Sequence, residues 1–550
     1  MEYTKIKKIH VTEAGTLSNL LPMDEAEKLE VLILSGYLNT KDFEEVIDDL
    51  CLFWPIGYDE YDDPIFDWDV APNLRVLDMG GCDLVGSTTL PEFGTHIPLD
   101  KIVLPKNTEY LSYESAIDES FVREVVLPET LKSIKGIKNC ERLEKIVMPE
   151  SVEHIGMFAL VGCPQLKELY IPKNVKTIDG ALLAGCSSIS KIKVSEENKY
   201  FTSVDGVVYT KDLKKLVAYP CGSGRTMYNV LEGTEELSFG AFMDSDIEDL
   251  VLPDSLKVIE DYCFRFCYKL KRLNMPDSVT KLGKCSLEFC GNLEYVHLSS
   301  SLKKIDGQTF GQCVKLKYLD VPSFVKTFDV SAISWNEQGF EEIVLHEGLE
   351  DIIVEHGGFM FCRSSVLRKI NIPSTVKELP TGLFRNCVKL DDFTISEKNP
   401  YFKLEDGAIY SKDGKTLVSV TNWNRENFSV LEGTEIIGEG CFWMFDKLKV
   451  INLPSTLRKI ERRAFDGCSS LSEISLPEGM EEIGERAFDE CTSLNILKIS
   501  AKNTPKITGI EEDENAMKLG PRKLNVFVPA ESLEVYQSDA NWKVWNIKAL

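Results

Sequence analysis

Cysteine and histidine are the residue types in this sequence best able to do chemistry, and their spacing argues against most of it. There are 16 cysteines, and ten of them, at 140, 163, 186, 267, 290, 313, 362, 387, 468 and 491, occupy the same place in a recurring segment. Cys263 and Cys441 stand just before a phenylalanine, where other copies carry alanine. Repetition at one position predicts a column of small buried side chains, each a modest hydrophobe and weak donor. Disulfides between adjacent copies, or metal ligation, are the alternatives. No C-x-x-C pair exists, and Cys263 and Cys267 lack a second pair at zinc-site spacing. Of the six histidines, His346 and His356 lie nearest each other, but His346-Glu347 does not continue into H-E-x-x-H. His346 stands where other copies have proline, which predicts a loop.

Other chemistries fare no better. There is no G-x-S-x-G elbow, and Gly222-Ser223-Gly224-Arg225 lacks the spacing and lysine of a phosphate loop. Carboxylates are too numerous for any two to be singled out as general acid and base. Asp59-Glu60-Tyr61-Asp62-Asp63 offers oxygen ligands for calcium without the spacing of an EF-hand, so a solvated loop is the plainer reading. No catalytic residue, metal site or cofactor is expected.

Composition bounds the partners. The chain has 550 residues, 43% of them apolar, with 62 basic against 88 acidic side chains and a net charge of -26. That charge disfavours nucleic acid and anionic lipid, which both need clustered Lys and Arg. No stretch approaches the ~18 uninterrupted apolar residues of a membrane helix. The sequence opens Met1-Glu2-Tyr3-Thr4-Lys5, without the apolar run of a signal peptide. A cytoplasmic protein and an exported one with its leader removed both fit.

The elements that must position these residues repeat. Residues 143–165, 270–292, 448–470 and 471–493 are 23-residue copies of one pattern, and Pro454 to Pro477 and Cys267 to Cys290 to Cys313 keep the step. A period of this length with an L-x-x-L-x-L core is the leucine-rich-repeat signature. In Leu270-Lys271-Arg272-Leu273-Asn274-Met275 apolar and polar residues alternate as in a half-buried strand. Pro276 cannot donate to a ladder and ends it. A second extended piece, Val279 to Leu282, and a compact turn complete the unit. One unit cannot bury its apolar strip alone, so stacked units share a continuous core. The fold expected is a mainly-β, right-handed curved solenoid with a strand-lined face, with roughly 17 or 18 turns after residue 99.

The period is interrupted twice, by NKYFTSVDGVVYTKDLKKLVAY at 198–219 and NPYFKLEDGAIYSKDGKTLVSV at 399–420. Asp205-Gly206 and Asp406-Gly407 between alternating apolar runs predict β-hairpins that protrude from the solenoid. The plainer expectation for Tyr200, Phe201 and Tyr209 is packing down onto the core. Residues 1–98 read as an α/β capping region with helices near 24–29 and 40–54, the second capped by Thr40, and a strand at Val31-Leu32-Ile33-Leu34. Residues 99–550 read as the solenoid, with inserts near 198–228 and 399–428 and a closing cap near 524–550. In that cap Tyr536, Trp542 and Trp545 are bulky enough to cover the end of the core.

The combination L-x-x-I-x-L-P-x-x-[LV]-x-x-I-x-x-x-A-F-x-x-C, plainest at 448–493, resembles the BspA-like leucine-rich repeats. The D-G-V-V-Y-x-K-D insert and the tail Pro529-Ala530-Glu531-Ser532-Leu533-Glu534-Val535-Tyr536 with Trp542 are similar to that family's inserts and closing segment. The resemblance implies a secreted or cell-surface bacterial protein that adheres to host matrix proteins or other cells. It brings no fixed set of binding residues. The exposed strand positions are therefore the place to look, and Arg272, Asn274, Tyr295, His297, Tyr318 and Asp320 form the most mixed aromatic and polar group. Tyr295 and Tyr318 fall in consecutive turns, so their rings are expected to stack. Exposed Tyr and Arg are enriched at interaction hot spots, although aromatics also simply favour strands. The function expected is non-enzymatic binding of a protein or glycan on a host or neighbouring cell. An intracellular interaction scaffold and a glycan-binding accessory protein are the alternatives.

Overall fold

A computed structural model describes residues 3–51, 57–58, 64–65, 73–91, 99–111, 117–118, 121–333, 338–354, 366–380, 383–384, 387–421, 424–508 and 524–550. The acidic run 59–63, the polar stretch 511–521, His356 and Cys362 lie outside them. The chain divides into two compact units, Met1–Leu293 and Glu294–Leu550.

Both units use one turn, clear at residues 270–290. Leu270, Leu273 and Met275 are buried while Arg272 and Asn274 face solvent, so the strand Arg272–Asn274 is half-buried as its alternation predicts. Pro276 ends the strand, and its carbonyl accepts the Val279 N–H at 3.0 Å, the closing bond of a β-turn. The second strand, Lys281–Leu282, pairs in parallel with Val258–Ile259 of the preceding turn. Two parallel ladders thus run through the stack.

The compact turn after the second strand forms a third ladder. Tyr262, Phe264 and Phe266 N–H groups donate to Lys284, Ser286 and Glu288 carbonyls of the next turn at 2.9, 2.7 and 2.9 Å. Tyr262 and Phe266 hold left-handed φ values of 60° and 63°, and Cys285 and Phe289 repeat them one turn on at 52° and 62°. The repeating cysteine closes the loop: Cys290, Cys468 and Cys491 Sγ donate to the Phe264, Phe442 and Phe465 carbonyls at 3.1, 3.2 and 3.0 Å. All fifteen described cysteines are buried thiols, among them nine of the ten expected at the repeating position.

The solenoid has about 21 turns, more than the count from residue 99, because stacking begins earlier. Ile6–Val11, Val31–Leu38 and Val76–Leu84 are already parallel strands of the sheet that continues into Lys101–Val103, Glu124–Val126 and Lys145–Ile146. The helical segments here are Leu17–Leu20, Met23–Ala26 and a run of three from Thr40 to Cys51. The cap of that run is Asn39, not Thr40. Asn39 Oδ1 accepts from the Asp42 N–H, and the Asp42 carboxylate accepts from the Asn39 N–H, a reciprocal capping box.

The inserts do not protrude as free hairpins. Phe201–Val204, Val207–Thr210 and Lys215–Ala218 form an antiparallel meander, and its last strand pairs in parallel with Glu236–Leu237 of the second ladder. Phe402–Glu405, Ala408–Ser411 and Thr416–Val420 do the same with Ile436–Ile437. The apolar alternation of the third strand draws it into the core. Phe201 and Tyr209 pack down, and so do Phe402 and Tyr410, while Tyr200 and Tyr401 stay exposed. At the far end Tyr536 and Trp542 are buried as expected, with Tyr536 Oη donating to Ala501 O at 2.9 Å and Trp542 Nε1 to Pro505 O at 3.0 Å. Trp545 packs against them edge-on to Trp542.

Candidate functional surface

The described cysteines are buried. Burial pushes the Cys267 thiol up to about 12 and Cys285 to about 11, far from a thiolate at neutral pH. Among these residues no three His, Cys, Asp or Glu side chains come together as a metal set.

Exposed positions of the first ladder offer contact instead. In the first unit Met227–Asn229, Asp249–Val251 and Arg272–Asn274 lie parallel, with Met227 opposite Asp249 and Asp249 opposite Arg272. Arg272 and Asn274 flank buried Leu273 and face solvent, and so do Val251 and Met227. Sequence reasoning passed over Met227 because it falls in the degenerate turn after the first insert.

The second unit carries the other four. Tyr295 and His297 sit on the strand Tyr295–His297, and Tyr318 and Asp320 on Tyr318–Val321. Tyr295 is 50% and Tyr318 49% exposed. The expected stack is not formed: among the described residues no ring contact joins Tyr295 to Tyr318. Tyr318–Val321 instead opens a four-stranded parallel sheet with Glu342–Leu345, Lys369–Ile372 and Asp392–Ile395.

That sheet has a built polar surface. Asp320 Oδ1 lies 2.7 Å from His346 Nε2, a loop residue directly after its strand, as expected of His346. Glu342 pairs with Lys369 at 2.7 Å. Asn371 Nδ2 donates to Leu345 O at 2.7 Å, and its Oδ1 accepts from Leu345 N at 3.0 Å. Partial desolvation, with Asp320 and Glu342 nearby, raises the Tyr318 phenol and keeps it a neutral donor. A ring, a carboxylate–imidazole pair and an ammonium–carboxylate pair therefore share one face.

A further cluster had no isolated signal in the sequence beyond the 23-residue step from Phe266 to Phe289. Arg265 Nε donates to Glu288 at 2.6 Å, and its guanidinium lies 5.3, 4.5 and 5.6 Å from the Tyr262, Phe266 and Phe289 rings. Burial raises the Glu288 carboxyl, against the pull of Arg265.

The fold defines a leucine-rich-repeat solenoid. Six copies of the BspA type leucine rich repeat region match residues 92–205, 235–353, 334–411 and 419–513, more than half the chain, and the protein belongs to that family. No curated protein shows significant sequence similarity to it. Solved structures to which the chain is similar include a leucine-rich repeat protein from Bacteroides ovatus, 23% identical over 72% of this chain and 88% of that one, with a TM-score of 0.39. A leucine rich cell surface protein from Faecalibacterium prausnitzii is 19% identical over 58% and 96%, with a TM-score of 0.39. The pneumococcal vaccine antigen PcpA is 19% identical over 70% and 87%, with a TM-score of 0.32. Among the described residues no helix is long and apolar enough to cross a membrane.

Proposed function

We propose that this protein is a non-enzymatic binding protein, exported or held on a bacterial surface, that recognises a macromolecule on a host or neighbouring cell. The observation that carries the reading is the exposed strand face of the second unit, where Tyr318, Asp320–His346 and Glu342–Lys369 present mixed chemistry on a rigid sheet. Family membership supports the surface location. An intracellular scaffold is the second reading, favoured by fifteen buried thiols, which suit a reducing compartment.

The test is a binding screen at physiological salt against immobilised matrix proteins and glycans, repeated with Tyr295→Ala plus Tyr318→Ala. Loss of a hot-spot ring costs about 2 kcal/mol or more, so a specific partner is expected to bind roughly 30-fold more weakly. Unchanged affinity in the double variant overturns the assignment of this face. Fractionation of the source cells separates the two locations.

A further inference from the structure

The two inserted meanders are copies, yet they seat differently on the turn before them. In the first, Ile192 N–H donates to Gly206 O at 2.9 Å and Ser203 Oγ donates to Ile192 O at 2.6 Å. A Cβ on Gly206 would meet Lys191 side-chain carbon at 2.8 Å. That hairpin tip is clamped to the strand Ile192–Val194. In the second copy Phe393 stands for Ile192 and Leu404 for Ser203. Leucine cannot donate, and the Gly407 carbonyl turns instead to Thr421, accepting from its N–H at 3.0 Å and its Oγ1 at 2.8 Å. The nearest atom to a Cβ on Gly407 is Arg425 Nη2 at 3.5 Å.

Beside the second copy lies a cavity of about 750 Å³, within the range of small-ligand sites. Its wall is mostly polar and includes three cations, Arg368, Lys389 and Arg425, against one carboxylate, Asp391, together with Thr421, and Phe393 and Leu404 are among its apolar residues. Arg425 is held by Asp406 through paired contacts of 2.8 and 2.9 Å. Arg368 and Lys389 have no carboxylate within ion-pair distance among the described residues. This is unusual in a chain whose cations mostly pair with an acid one turn away, as Lys369 does with Glu342 and Lys377 with Glu350.

We propose that this cavity binds a short oligosaccharide bearing a carboxylate. Arg368 and Lys389 take the carboxylate, the guanidinium by its paired donors and the ammonium as a point charge. Thr421 Oγ1, its proton given to Gly407 O, is left to accept from a sugar hydroxyl, and the half-buried Phe393 ring offers an apolar face to the C–H side of a pyranose. A fatty acid would leave the polar wall unmatched, and a neutral sugar would leave both cations unanswered. The inference is independent of the strand-face reading.

Calorimetric titration of the full chain with tri-galacturonate and with neutral galactotriose tests it. The acidic sugar is expected to bind at least tenfold more tightly than the neutral one, a difference of about 1.4 kcal/mol. Arg368→Ala plus Lys389→Ala is expected to remove that preference with an unchanged thermal midpoint, since both side chains are exposed. Lys389→Glu alone, read beside it, should weaken the acidic sugar and spare any binding of the neutral one. Equal affinity for the two sugars, no saturable binding of the acidic sugar in the millimolar range, or full binding by the double variant overturns the proposal.

Discussion

Asn198 and Asn399 each begin an inserted meander, and both are buried. Asn198 Nδ2 donates to Pro172 O and Val175 O at 2.8 and 3.0 Å, while its Oδ1 accepts from Tyr200 N and Phe201 N, both at 2.8 Å. Asn399 makes the same four bonds one module later. Replacement by alanine strands the Val175 carbonyl and two N–H groups, at about 1–3 kcal/mol for each group left unmet, while Pro172 O keeps the Val175 N–H at 3.4 Å. Urea unfolding of Asn198→Ala is expected to show a loss of about 3 kcal/mol, and Asn198→Asp a loss that grows between pH 4 and pH 7. Asp466 is shifted in the opposite sense to Glu235 and Glu350. Burial and the nearby Asp489 push it up to about 6, against the pull of Arg463. The folded state then holds a proton that the unfolded chain releases near pH 4, so its contribution is full at low pH and lost as pH rises through 6. Asp466→Asn is expected to match the native protein at pH 4 and exceed it by on the order of 3 kcal/mol at pH 8. An equal offset at both pH values would refute the assignment. Neither role was visible in the sequence, because an asparagine or aspartate in a polar loop reads as solvated until its burial is known.

At the scale of elements the stack is held by repeated side chains more than by long strands, many of which have only two or three residues. Phe442, Phe465 and Phe488 stack at 5.0 and 5.4 Å with interplanar angles of 5° and 10°. All three are fully buried. Phe465 touches both neighbours, so Phe465→Ala opens a cavity shared by three turns and is expected to cost about 3–5 kcal/mol. Phe465→Leu keeps most of the volume and should cost less than about 1.5 kcal/mol. A thermal melt in which both variants match the native protein would show that the stack contributes little. This element was legible: the 23-residue step of A-F-x-x-C set both the column of phenylalanines and the column of cysteines. The loop that carries them was not. Its left-handed positions are filled by glycine in some copies, as at Gly440 and Gly467, but by Arg463 and Arg486 at φ 52° and 54° in others, so the usual marker of such backbone was intermittent. The open cavity beside the second meander was hidden for a related reason. Its wall includes Phe393 and Leu404, which stand for Ile192 and Ser203 of the first copy, and the meaning of those exchanges appears only when the Ser203–Ile192 hydrogen bond of the first copy is seen.

Across the whole molecule, the repeat turns a large net charge into paired charge. Residues one turn apart face each other, so Glu235 lies between Lys214 and Lys257 at 2.5 and 2.7 Å in the first unit. Glu350 lies between Lys326 and Lys377 at 3.1 and 2.6 Å in the second. The two lysines hold the Glu235 carboxyl down to about 2, and Glu350 is lowered by the same cause. A carboxyl depressed on folding stabilises the folded state above its unfolded value, near pH 4.3, and that contribution disappears as pH falls toward 2. The excess of acid, -26 at neutral pH, acts the other way, because self-repulsion relaxes as unpaired carboxylates protonate. Lowering the pH from 7 to 5 should therefore raise stability while the ladder pairs remain charged, and further acid should reverse the gain. Glu235→Gln plus Glu350→Gln is expected to unfold at lower urea than the native protein at pH 7 and low salt. The gap should shrink steeply as pH falls toward 2, where the Glu235 carboxyl is about half neutral. It should also shrink in about 1 M salt, where the screening length falls to about 3 Å. A gap that persists under both conditions would mean that packing of the glutamate stems, and not the charge ladder, joins one turn to the next.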